Sequence, residues 1–259
     1  GIYFTVYNLT MGYPYFSYAL AGTVIIFLIA VPILTMRSFA EERKNKTDQL
    51  LLTAPVSVAE IVVGKYLAMV TVFLIPILFS CIYPLIIKMQ GTAYLLADYT
   101  ALFTYFLIVF VYIATGMFMS SLTESQIISA VSTFAVLLLL YFWSGLLGFL
   151  PTGALYNFIG VLVIVAAIGT LIYHVTKNWI IGGTVAAVGG VASIIVYIVK
   201  KNLYAGLLAS VLKKFDFSAI LSSVINTNLL DVGNLIFCVS IIFLFVFLTI
   251  QTIQKRRWS

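Results

Sequence analysis

Apolar residues dominate this chain in runs of about 17 to 25 positions, separated by short polar stretches, and this pattern repeats from one end to the other. Runs of that length suit membrane-crossing helices, and none shows the ten-residue polar/apolar alternation of a transmembrane barrel. Seven spans are predicted, at about 19–36, 58–87, 100–120, 127–150, 158–173, 180–199 and 235–252. The fifth and sixth pair into a helical hairpin over about 154–199. Between them and the last span, 200–232 interleaves leucines with lysines at helical spacing and is too charged to cross, which predicts helices lying in the outer interface.

Charge clusters in one place. Residues 37–57 carry Arg37, Glu41, Glu42, Arg43, Lys44, Lys46 and Asp48 between two apolar runs, so this loop must face water or a water-soluble partner. Ser38 with Glu41, and Ser57 with Glu60, each match the capping box, in which a hydroxyl and a carboxylate satisfy amides at a helix start. Thr123 with Gln126 repeats the signal. Helices are therefore expected from about Phe39, Val58 and Ile127. Leu50, Leu51 and Leu52 would hold the loop against the bundle.

Composition agrees with a membrane protein: 63% of residues are hydrophobic and 8% are charged. Soluble domains run near 25% charged. Grouping the loops by alternation puts nine lysines and arginines on the side of Arg37 and of Lys255, Arg256 and Arg257, against five opposite. The richer side is expected to be cytoplasmic, in the plasma membrane, with the C-terminus inside. Seven spans then put Gly1 outside, and an eighth span is expected upstream of it, with GIYFTVY as its outer end. The net charge of +6 comes from scattered loop residues, which fits lipid headgroups as neighbours and not nucleic acid.

Chemistry is sparse. No expected span core holds an acid, a base or the lone His174, which disfavours a proton relay. No nucleophile has a base nearby in sequence, Cys81 and Cys238 have no partner spacing, and no phosphate-binding loop is present. Catalytic, cofactor and metal residues are therefore not expected on this chain.

Three segments are similar to a known family. PILTMRSFAEERKNKTDQLLLTAPVSVAEIVVGKYLA, from Pro32, resembles the first inner loop of type-2 ATP-binding-cassette exporter permeases of the gliding-motility type. MSSLTESQIISA (Met119 to Ala130) and VSIIFLFVFLTIQTIQKRRW (Val239 to Trp258) resemble further parts of the same family. The resemblance implies a non-enzymatic permease of one transmembrane domain, 1–259, that exports a substrate. It implies a second permease protomer, identical or not, and a cytoplasmic ATPase subunit that binds ATP and Mg; the subfamily also suggests an accessory membrane subunit. Arg37, Glu41, Glu42, Arg43, Lys44, Lys46, Asp48 and Gln49 would form a coupling helix docked on the ATPase. The family commonly has six spans, so the hairpin at 154–199 is an addition. Two rival readings share the architecture: a membrane scaffold or sensor driven by the same ATPase, and a gradient-driven carrier.

Overall fold

The structure, a computed structural model, describes residues 1–47 and 56–257. It is all-helical, with no strand among the described residues. Four segments are long and apolar enough to cross a membrane: Ser17–Lys44, Val58–Gln90, Leu95–Leu122 and Val232–Lys255. Shorter apolar stretches, Gln126–Tyr141, Ala154–Thr170 and Gly183–Val199, stand where the other three spans are expected. The chain is thus a polytopic helical membrane protein. It divides into two compact units, one of residues 1–141 and 217–259 and the other of 142–216.

In the first unit α1 (Ile2–Phe4) runs into a wider π turn, Thr5–Thr10, and then come α2 (Ser17–Thr35) and the short α3 (Ala40–Lys44). α4 (Val58–Ser80), α5 (Tyr83–Gln90), α6 (Leu95–Leu122) and α7 (Gln126–Tyr141) follow; α12 (Phe217–Thr227) and α13 (Val232–Arg257) complete it. α6 is the hub, because 67% of its most apolar window is buried against 17% for the windows in Val58–Gln90 and Val232–Lys255. Helices α2, α4, α7, α12 and α13 all pack on it. In a bilayer the apolar alternative to this packing is lipid, so dispersion and interhelical hydrogen bonds hold the helices together. Tyr66 on α4 donates to Phe110 O of α6 at 3.2 Å, and Phe118 of α6 meets Phe245 of α13 at 5.7 Å between ring centres.

A close approach in this unit is at Gly116. A Cβ there would sit 2.5 Å from Thr35 Oγ1 and 3.0 Å from Thr133 Cγ2, so only glycine lets α2, α6 and α7 converge. α12 buries Phe217, Ile220, Leu221 and Val224, the i, i+3, i+4, i+7 stripe of an amphipathic helix.

The second unit contains α8 (Trp143–Gly148), the hairpin α9 (Ala154–Thr176) and α10 (Trp179–Val199), and α11 (Leu207–Leu212). Gly189 of α10 is another close contact, since a Cβ would meet Val165 Cγ1 at 2.8 Å. Asn157, 1% exposed, knits the start of the hairpin: its amide donates to Pro151 O and Gly153 O, and its oxygen accepts from Leu208 N.

Several expected boundaries are corrected. The run 58–87 breaks after Ser80, because Pro84, which has no N–H to give, occupies the first turn of the new helix α5. The run 127–150 breaks at Phe142 into α7 and α8, where Trp143 Nε1 donates to Leu212 O at 2.8 Å. The stretch 200–232 is shared between the units: 201–215 belongs to the second and α12 to the first. The last helix continues past Thr252 to Arg257.

The largest correction concerns Asp98. It stands ahead of the span expected at about 100–120, yet it lies in the first turn of α6 and is 0% exposed, so this apolar bundle does contain a buried acid. Its Oδ1 accepts from Ser17 N at 3.1 Å. The α2 N-terminus has no cap from its own side chains, and a carboxylate from another helix meets the positive end of its dipole.

Candidate functional site

The charged loop after α2 opens on a helix of only five residues, far below the roughly 12 that an isolated helix needs. Tertiary contacts must hold it. Phe39 and Ala40 are buried, and their backbone amides both reach Ser120 Oγ of α6 at 3.2 Å. That hydroxyl donates in turn to Met36 O at 3.3 Å. One serine from a distant helix thus satisfies two amides at the start of α3.

The C-terminal end closes locally. Lys46 has φ +57°, its N–H donates to Arg43 O, and Thr47 N–H donates to Glu42 O. This is the Schellman arrangement, with a lysine where glycine is usual. Glu41 and Glu42 in the first turn and Arg43 and Lys44 in the last all suit the helix dipole.

The charged side chains divide into two sets. Glu42 pairs with Lys65 of α4, whose Nζ also donates to Ser38 O at 2.6 Å and lies 4.5 Å from the centre of the Phe39 ring. Arg43, with its side chain 11% exposed, donates to Ser121 O at 3.0 Å and to Glu124 Oε1 at 2.8 Å. Glu42 and Arg43 therefore serve the bundle. Both are expected on the hydrated face, and here each is partly exposed while paired with the bundle. Arg37, Lys44 and Lys46 remain exposed, and Glu41 is half-buried with only a loose 4.0 Å pairing to Arg37. Asp48 and Gln49 lie outside the described residues.

The three expected capping boxes fare differently. At Ser57 the box forms, since Glu60 N donates to Ser57 Oγ at 3.2 Å and Ser57 N donates to Glu60 Oε2 at 2.9 Å. Ser38 does not cap α3: its hydroxyl donates to Thr35 O, the residue still belongs to the turn that ends α2, and Ser120 has taken the amides. Nor does Thr123 cap α7. Its hydroxyl accepts from Ser125 N, while Ser125 Oγ accepts from Ile128 N at 3.4 Å, two positions later than expected.

Ser120 and Glu124 complete the site although the charge pattern of the loop does not mention them. The only hint is that MSSLTES crowds hydroxyls and an acid into a turn between two apolar runs. Among the described residues no three His, Cys, Asp or Glu side chains group to hold a metal ion.

Among known proteins, the family model described as ABC-2 family transporter protein matches residues 8–199. No curated protein and no solved structure matches the chain.

Proposed function

Because this chain belongs to the ABC-2 family of transporter proteins, we propose that it is the permease of an ATP-driven exporter in the plasma membrane, with α3 as the site where a cytoplasmic ATPase subunit docks. The observation that carries the reading is the two-sidedness of α3. One side is held by Ser120, Lys65, Ser121 and Glu124, and the other presents Arg37, Glu41, Lys44 and Lys46. A solvated loop with no partner has no need of such anchoring, since disordering these five residues would recover conformational entropy. ATP and Mg are held by the ATPase, and a second protomer completes the pathway. The C-terminal Lys255, Arg256 and Arg257 share the cytoplasmic side with α3, in keeping with the lysine and arginine bias of the loops.

Glu41 and Lys44 are three apart on the helix and share a face, so exchanging their signs, Glu41→Lys with Lys44→Glu, inverts the charge pattern presented at unchanged net charge while leaving Glu42 and Arg43 in place. Copurification of the ATPase with the membrane-inserted variant should fall steeply and become more salt-sensitive. Normal copurification and normal stimulated hydrolysis would remove α3 as the docking surface.

A further inference from the structure

Glu42 and Arg43 are adjacent in sequence, yet they engage two different parts of the bundle. We infer that Lys65 and the Arg43–Glu124 pair act as a two-point clamp that makes α3 mechanically continuous with α4 and with the α6–α7 turn, so that Lys65 and Glu124 are positioning residues for conformational coupling. The inference rests on the docking reading above and adds the path by which motion leaves α3.

Adjacent residues on a helix project about 100° apart. A single tether would leave α3 free to roll about it; two tethers at that angle, with Phe39 buried beside Lys65, stop both rolling and sliding. The Lys65–Glu42 tether is partly shielded from solvent, whereas in the other only Arg43 is, since the Glu124 side chain is 71% exposed. The Arg43 side chain is 11% exposed, and those of Lys65 and Glu42 are 22% and 28% exposed. The Arg37–Glu41 pair on the outer side, 65% and 40% exposed, has neither the shielding nor the geometry to hold anything. Each tether carries a second bond to backbone, from Lys65 to Ser38 O and from Arg43 to Ser121 O, so neither depends on charge alone.

The clamp reaches two long helices. Lys65 lies two turns inside α4, whose 23 residues span about 35 Å, and Glu124 lies just past Thr123, the residue that caps the 28 residues of α6, about 42 Å. A small tilt imposed at this end is amplified at the other. Cys81 caps the far end of α4 and is half-buried, with its thiol donating to Ile77 O, so its reactivity reports the tilt.

The experiment uses the full chain with a cysteine-free ATPase in nanodiscs, carrying Cys238→Ser so that Cys81 is the sole thiol among these 259 residues. The rate of maleimide labelling is measured without nucleotide and after trapping with ATP and vanadate. The parent complex should label at different rates in the two states. Lys65→Met combined with Glu124→Gln should keep the ATPase bound but make the two rates equal, and Lys65→Arg should restore most of the difference where a merely stabilising contact would not. The same pair of rates in the double variant as in the parent, with the nucleotide effect intact, overturns the clamp. Failure of the parent chain to retain the ATPase overturns the docking reading instead. Should the double variant insert poorly, Glu124→Gln alone, which removes the charge that holds Arg43 while leaving Lys65 in place, carries the test, and an undiminished nucleotide effect there is equally fatal.

Discussion

Ser120→Ala isolates one hydroxyl on which α3 depends. The side chain is 0% exposed and makes three bonds: it accepts from Phe39 N and Ala40 N at 3.2 Å each and donates to Met36 O at 3.3 Å. Leaving a buried amide without a partner costs about 1–3 kcal/mol. Here the bonds are long and the site is close enough to the aqueous side for water to enter, so the low end applies, about 1 kcal/mol for each of two amides. A loss of about 2 kcal/mol raises the open population of this segment roughly 30-fold. Because the loss is local, amide hydrogen exchange in the peptide covering 36–47 should speed up by that factor, while the interior of α6 around Ile113 stays protected. An increase below about threefold, equivalent to roughly 0.7 kcal/mol, would show that Ser120 does not hold the helix start.

Gly116→Ala should lower the thermal unfolding midpoint in detergent by an overpacking cost of about 1–3 kcal/mol, and Thr35→Ala in the same chain should recover much of it by removing the atom 2.5 Å away; a double variant no better than the single one refutes the contact. Asp98→Ala should cost about 1–2 kcal/mol through loss of the cap on α2, whereas Asp98→Asn keeps an acceptor for Ser17 N and should cost less; equal midpoints for the two variants would mean the cap contributes nothing. Lys46→Gly relieves a left-handed residue at the end of α3 and should slow exchange in the same loop, by an amount corresponding to about 1 kcal/mol; faster exchange would mean the side chain contributes more than its backbone strain costs.

The elements that sequence made legible are those written in local signals. Length and apolarity suffice for the four long spans, and Ser57 with Glu60 forms the box its spacing announces because both partners lie within one turn. The same spacing at Ser38 and Glu41 gives no box, since the competing acceptor, Ser120, is 80 residues away from Ala40. Asp98 was obscured in the same manner: an acid next to tyrosines reads as a loop until Ser17, 81 residues earlier, supplies the amide that lets it stay buried. The loop's charges were visible, but which of them faced inward was not, because Glu42 and Arg43 find their partners at positions 65 and 124. The break before Pro84 is hidden in the sequence for a different reason. A proline tolerated inside a span and a proline that starts a helix look alike until the break before it is seen.

The distance in sequence between α3 and its anchors has a consequence for biogenesis. Phe39 and Ala40 leave the ribosome some 80 residues before Ser120 does, an interval of about 4–16 s at ordinary synthesis rates. Until then the five-residue segment has nothing to fold against, so a nascent chain cannot display an ordered α3 before its hub helix has been made and inserted. An order of assembly is thereby written into the covalent chain: the polar segment made early matures late. Arrested chains ending near residue 110 and near residue 175 separate the cases, since only the longer one has Ser120 clear of the ribosome and should protect the Ala40 amide, and protection in the shorter chain would show that α3 folds on its own.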